Sequence, residues 1–289
     1  MIIVIDGLNK HLFGDVLDEV FKLRARVFEG RLGWEVNVVN GRERDQFDDL
    51  DPAHVVSIDD EGEVVSCMRL LQTTGPHMLA DVFSSILDGE PPLRSTQIWE
   101  ATRFCVDTSR LGQGRAKNSI SYVTSEVMIG SFEYAQKAGV LDAVAVIDPV
   151  MNRVLKRSGN APCDYLGTAK PMGKVTAMAA LMDCSDERIA SIREFAGIQH
   201  DVFLSEADAL RLMAQRQEAK SPMPKPSVAN QDHKPLSTLE RYFVEQMRDA
   251  RTESEVQDVL RLIESLSDTF TPEQKDALLN TPRAFAQEA

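Results

Sequence analysis

The chain has 289 residues, 43% of them apolar and 27% charged, which is the make-up of a water-soluble globular protein. A net charge of −13 excludes general nucleic-acid binding, which needs a basic face. No run reaches the roughly 18 apolar residues of a membrane span, so no membrane insertion is expected.

The opening MIIVIDGLNK has no basic head and no long apolar core, so it predicts a first strand rather than a signal peptide, and a cytoplasmic chain. From His11 to Glu29 the apolar residues Phe13, Val16, Leu17, Val20, Phe21, Val27 and Phe28 form a helical stripe. Residues 31–52 read as an irregular, charged loop. AHVVSIDDEGEVVSCMRLLQT then predicts a hairpin turning at Asp60–Gly62. LADVFSSIL reads as a short helix, and Pro91–Pro92 breaks the chain before the strand WEATRFCVD.

SRLGQGR follows, with Gly112 and Gly114 as weak candidates to cradle a phosphate, and then a helix from about Ala116 to Ala138. VLDAVAVI predicts a strand, PVMNRVLKRSG a helix opened by Pro and closed by Gly, and APCDYLG and GKVTAMAALM two more strands. Helices between strands, with an early antiparallel hairpin, predict an α/β fold with a mixed sheet. Near residue 215 the composition shifts to Pro, Ser, Lys and Gln. The expected organisation is therefore a domain over 1–205, a helix end and linker over 206–237, and a helical C-terminal extension over 238–289. The cysteines Cys67, Cys105, Cys163 and Cys184 lie far apart with no CxxC, which predicts free thiols and no metal site.

Several charges sit where the pattern expects core. Arg24 interrupts the first helix's apolar stripe, and Arg69 shares a strand face with Val65, Cys67 and Leu71. Asp45 and Asp48 are spaced for one face of a helical turn, and Glu100 and Arg103 lie inside a strand-like run. A buried charge without a partner is costly, so three arginines and three carboxylates should find one another. They could form a solvated ion-pair network at a domain edge, or a cluster that binds a zwitterionic substrate through its carboxylate and ammonium. Glu100 and Arg103 are three positions apart and would face opposite ways in a regular strand. Serving one cluster requires a β-bulge between them, which would also free backbone N–H groups to hold an oxyanion.

Together these residues resemble the acyl-homoserine lactone synthases, the autoinducer synthases of bacterial quorum sensing. The resemblance rests on RARVFEGRLGW with Arg24, Phe28 and Trp34, DQFDDLDPAHVV with Asp45 and Asp48, SCMRLL with Arg69, LADVF with Phe83, and WEATRFCVD with Glu100 and Arg103. It covers roughly residues 1–200 and does not extend to the tail. It implies a GNAT-like mixed-sheet α/β sandwich with a V-shaped split between two central strands. It also implies two substrates, S-adenosylmethionine and an acyl thioester on acyl carrier protein or coenzyme A, and no separate cofactor. SRLGQGR departs from the GNAT phosphate loop, because Ser109 stands where Arg or Gln is usual.

On this reading Glu100 takes the amine's proton, and backbone N–H groups near Phe104 or Cys105 hold the oxyanion. Arg24, Arg69 and Arg103 orient carboxylates, Asp45 and Asp48 hold the arginines, and Phe28 and Trp34 cover the adenosyl group or close the site. Ala145 on VLDAVAVI would line the acyl tunnel, where relatives that make 3-oxo products usually carry Thr. Arg153, Lys156 and Arg157 would dock an acidic carrier protein. The competing expectation is a GNAT-type acyl-carrier-binding protein with a regulatory or other acyltransferase role.

Overall fold

The computed structural model describes residues 1–112, 117, 119–173 and 175–220, with 243, 257, 259–261 and 263 beyond them. The chain divides into two compact units, Met1–Pro222 and Met223–Ala289. Gly114 and nearly all of the expected extension lie outside the described residues.

Among the described residues the first unit is built on nine strands, of which seven form one sheet. In chain order they are β1 (Ile2–Ile5), β2 (Val38–Val39), β3 (Arg42–Glu43), β4 (Ala53–Ile58), β5 (Val64–Gln72), β6 (Ile98–Val106), β7 (Asp142–Ile147), β8 (Asp164–Met172) and β9 (Val175–Asp183). The large sheet runs β1-β4-β5-β6-β7-β9-β8, and β2 and β3 make a separate small hairpin. The helices are α1 (Gly14–Ala25), α2 (Met78–Asp81), α3 (Ile120–Lys137), α4 (Pro149–Arg157), α5 (Asp186–Ala196) and α6 (Glu206–Lys220). This is the expected α/β mixed sheet.

β4 and β5 read as nearly continuous apolar runs because both of their faces are covered. Val55, Met68 and Leu70 pack with Val123, Val127 and Ile129 of α3. Val56, Ile58, Val64 and Cys67 pack on the other face with Val16, Val20 and Leu23 of α1. Arg24 lies on that second face, fully buried.

Two irregularities in the sheet create the site. β6 and β7 run parallel and pair only where Ile98–Glu100 meets Asp142–Val144. No pair joins them beyond that point, so the sheet opens in a V whose apex is Glu100. The second irregularity lies on the other side of β6. Cys67 pairs with Cys105, but Arg69 pairs with Thr102, so β6 carries one extra residue against β5. Arg103 occupies this bulge with φ of 51°, the left-handed region. The bulge inferred from the Glu100–Arg103 spacing is present.

Several element boundaries differ from expectation. The first helix stops as an α-helix at Ala25 and continues as a wider π turn over Arg26–Arg31. The loop over 31–52 contains the β2–β3 hairpin and a 3₁₀ turn at Gln46–Leu50. Elements this short carry no periodicity to read. LADVFSSIL is divided between α2 and a 3₁₀ turn at Ser84–Leu87. α3 starts at Ile120 rather than near Ala116, where the Ser119 hydroxyl accepts from the Tyr122 N–H at 3.2 Å. α5 adds to the expected elements. α6 belongs to the first unit, where Ala209 is buried in the α1-side core and Arg216 pairs with Glu63 at 2.7 Å.

The segment that roofs Glu100 is pressed against β8. Gly167 has φ of 61°, and a Cβ there would lie 1.9 Å from the Ile86 carbonyl oxygen. A side chain at this position meets both the left-handed penalty and a backbone clash. Gly167→Ala is expected to destabilise the protein by at least about 2 kcal/mol, read as a lower urea midpoint with unchanged slope. A midpoint equal to wild type would show that the 84–87 turn yields freely.

Candidate active site

Beneath the α1 face of the sheet, three guanidinium groups and three carboxylates form one closed network. Arg24 reaches from α1, Arg69 from β5 and Arg103 from the bulge. Glu43 comes from β3, and Asp45 and Asp48 from the 3₁₀ turn. Arg24 clasps Asp48 with two bonds of 2.8 Å and reaches Glu43 through Nε at 2.5 Å. Arg69 bonds Asp45 at 2.6 and 3.0 Å and Asp48 at 2.8 Å. Arg103 reaches Glu43 at 3.1 Å and Asp45 at 2.6 Å.

Local structure fixes the acidic side. Asp45 caps the 3₁₀ turn by accepting from the Phe47 N–H, and Asp48 accepts from the Asp45 N–H in return. Arg24, Arg69, Glu43 and Asp48 are all buried, so the network is not the solvated edge that one expectation allowed. Burial works against the Arg24 charge, but the bonds and charges of Asp48 and Glu43 hold it more firmly protonated than a free arginine. Burial likewise opposes the Asp48 charge, and Arg24 and Arg69 pull its carboxyl well below the usual carboxylate range. His54, behind the network, is pushed down to about 4 by burial and so adds no charge at neutral pH.

Glu100 stands apart from this network. The expectation placed it among the carboxylates that balance the arginines, and the structure corrects this: Glu43 fills that place. Glu100 is fully buried and takes its bonds from main chain instead, Oε2 from the Met78 N–H and Oε1 from the Leu79 N–H, each at 2.7 Å. Burial pushes its carboxyl up to about 7, although both N–H bonds and the Arg69 charge pull the other way. The fold therefore keeps the proton between about pH 4.5 and 7 while the unfolded chain has lost it, so this group's contribution to stability falls as pH rises through that window. It is thereby placed to exchange a proton near neutrality.

The bulge does bring Glu100 and Arg103 to one side, because both meet Met78. Arg103 Nη1 lies 3.3 Å from the Met78 sulfur and Arg69 Nη2 lies 3.4 Å from it. Nη1 is the one guanidinium nitrogen of Arg103 without a carboxylate partner. The Phe28 ring lies under Arg103 at 5.6 Å and stacks on Trp34 with centroids 5.3 Å apart. Trp34 is 37% exposed, so its ring is open to solvent at the edge of the network.

The other candidates fall in different places. Phe83 packs with Phe47, Leu71 and Met78. Phe104 turns to the α3 face, while Cys105 returns to the α1 face and lies 3.4 Å from Cys67, sulfur to sulfur. Ala145 is buried on the α3 side of β7, opposite Ala180. Arg153, Lys156 and Arg157 are exposed on α4, which begins where β7 ends at the open end of the V, and take no part in the network. Among the described residues, no group of three or more His, Cys, Asp or Glu could hold a metal ion.

Residues 10–192 match the autoinducer synthase family. The chain belongs to that family. It is 36% identical over 163 residues to the acyl-homoserine-lactone synthase of Agrobacterium fabrum, spanning 56% of this chain and 76% of the relative. It is 34% identical over 192 residues to that of Aeromonas salmonicida, spanning 66% of this chain and 90% of the relative. Among solved structures, the CoA-dependent acyl-homoserine lactone synthase MesI superposes with a TM-score of 0.60 at 27% identity, covering 70% of this chain and 98% of MesI. This acyl-homoserine-lactone synthase is thus an acyltransferase of GNAT-like fold that makes a quorum-sensing signal. No described helix is long and apolar enough to cross a membrane.

Two site residues of the synthase escaped sequence reasoning. Glu43 lies in a hairpin of two residues per strand, where the only available signal was the need for a third carboxylate once Glu100 is set aside. Met78 meets Glu100 through its main-chain N–H and the arginines through its sulfur, neither of which leaves a mark in a charge pattern. Glu43→Ala leaves the Nε groups of Arg24 and Arg103 without a carboxylate and one positive charge uncompensated. The expected loss is about 3–5 kcal/mol by urea denaturation. A loss below about 1 kcal/mol would mean that water replaces the carboxylate at no great cost.

Proposed function

We propose that the V and the ionic network together acylate the amine of S-adenosylmethionine from an acyl thioester and then close the product to a lactone. The observation that carries this reading is the pairing of a buried acid near neutrality, Glu100, with an arginine edge free of carboxylates, Arg103 Nη1, on the two sides of Met78. S-adenosylmethionine enters as a substrate, and the chemistry calls for no resident cofactor.

The substrate's carboxylate meets the Arg103 edge, with Arg69 beside it, and the adenosyl group lies on the Trp34 ring. The amine loses a proton to Glu100, directly or through a water, and attacks the thioester carbonyl carbon. A C–N bond forms and the carbonyl π electrons move onto oxygen. The β7-facing main-chain groups of β6 beyond Glu100 have no strand partner, and the alternation that turns Cys105 toward β5 turns Phe104 toward the opening, which leaves N–H groups around Phe104 to hold that oxyanion. Collapse expels the thiol. The carboxylate oxygen then attacks the γ-carbon, and the C–S bond breaks to release methylthioadenosine. A sulfonium leaves readily, so this step needs positioning more than acid catalysis.

The acyl chain lies along the opening between β6 and β7, on the α3 side where Phe104 and Ala145 face. Ala145 offers no hydroxyl to a 3-oxo group, which favours donors unsubstituted at C3. The carrier, acyl carrier protein or coenzyme A, approaches the exposed basic face of α4, and a reducing cytoplasm suits the four free cysteines.

Glu100→Gln and Arg103→Ala are each expected to slow methylthioadenosine release by about 10²-fold or more while the protein stays folded. In the wild type the rate should rise with pH to a plateau above about 7, and Glu100→Gln should lack that limb. Near-normal turnover in both variants would remove the site from the reaction.

Docking of the donor has its own test. Arg153→Glu combined with Lys156→Glu should raise the Michaelis constant for a carrier-bound donor several-fold at low salt, and less at high salt. An unchanged constant at low salt would place the donor elsewhere.

A further inference from the structure

Glu100 presents a difficulty as a base, because it is fully buried and both of its oxygens are held by main-chain N–H groups. A carboxylate in that state is shielded from an incoming amine. The residue that shields it also touches the rest of the site. Met78 donates its N–H to Glu100 Oε2 at 2.7 Å, and its sulfur meets Arg103 Nη1 at 3.3 Å and Arg69 Nη2 at 3.4 Å.

A thioether is a weak acceptor, far weaker than a carboxylate. Of the two nitrogens, Arg69 Nη2 also bonds Asp45 at 3.0 Å, while Arg103 Nη1 has the sulfur alone. Met78 is therefore the natural group for a substrate carboxylate to replace. Its side chain is packed against Phe47, Leu71 and Phe83, so the sulfur cannot retreat inward without moving its neighbours.

We propose that Met78 is a positioning residue that couples substrate binding to release of the base. The carboxylate of S-adenosylmethionine displaces the sulfur from Arg103 and Arg69, the turn at Met78 shifts, and the N–H that holds Glu100 loosens. The acid is thus sheltered in the empty enzyme and made available when the amine arrives. This rests on the reading of Glu100 as the base. The charged groups facing Glu100 are Arg69 from β5, Asp81 from α2 and, across Met78, Arg103 from β6.

Two substitutions divide the roles of the one residue. Met78→Leu keeps the N–H and removes the sulfur, leaving the Arg103 edge unpaired. The expected result is a Michaelis constant for S-adenosylmethionine about threefold lower or more, with the pH limb in place. Met78→Pro removes the N–H as well. Proline is tolerated here because Met78 is the first residue of its helical turn and His77 before it is extended, with φ of −154° and ψ of 160°. Loss of an N–H bond to the ionised carboxylate should move the pH limb upward by about one unit.

Both variants are measured beside Glu100→Gln in full-length protein, with methylthioadenosine release as the readout and thermal melting as the check on folding. If Glu100→Gln loses the limb while both Met78 variants keep the wild-type limb and Michaelis constant, the coupling is wrong and the base stands. A wild-type limb in Glu100→Gln overturns the base, and the coupling with it. If Met78→Pro does not fold, Met78→Leu alone decides, and an unchanged or raised Michaelis constant rejects the proposal.

Discussion

Three guanidinium groups lie beneath one face of a sheet, in a space that would otherwise be apolar core. Each would be far too costly there alone, and the rest of the site follows from the way that cost is met. The β2–β3 hairpin and the 3₁₀ turn bring Glu43, Asp45 and Asp48 against Arg24, Arg69 and Arg103, and the group as a whole is neutral. The segment between α1 and β4, which looks like a loop, is in effect a clamp of opposite charge. The left-handed conformation of Arg103 belongs to the same arrangement. A non-glycine residue is held there because its side chain is bonded to two carboxylates and lies over Phe28.

The neutral network leaves Glu100 at the apex of the V as an acid with no ion-pair partner of its own. The contrast between Asp48 and Glu100 shows how environment sorts two buried carboxyl groups. Burial is the largest single influence on both, but the bonds and charges of Arg24 and Arg69 together outweigh it at Asp48, whereas at Glu100 two N–H bonds and the Arg69 charge do not, and its carboxyl is pushed up to about 7. The split in the sheet supplies the remaining requirement. β6 has lost its β7 partner beyond Glu100, so its main-chain groups on that side face the opening of the V.

Much of this was legible in the sequence, and the reasons are particular. Arg24 and Arg69 stand out because they interrupt apolar patterns. The spacing of Glu100 and Arg103 conflicts with a regular strand, and the bulge resolves that conflict. The partners of the arginines were only half legible. Sign balance demands three carboxylates, but sign alone cannot choose between Glu43 and Glu100. Glu43 comes from a hairpin too short for periodicity, and Glu100 lies beside Arg103 in sequence while bonding main chain in space. Met78 was invisible for a further reason, since a backbone N–H belongs to every residue and only the fold decides where it points. The basic face of α4 was legible as a surface feature, and the structure leaves it exposed at the open end of the V.

The ionisation of Glu100 is the point on which the account turns. A 13C NMR titration of carboxyl-labelled glutamate, with the Glu100 signal assigned by its loss in Glu100→Gln, measures it directly in the wild-type synthase. The account predicts a midpoint near 7. A midpoint at or below the ordinary glutamate value of about 4.3 would contradict it, and would leave Glu100 permanently charged at neutral pH and unable to exchange a proton there.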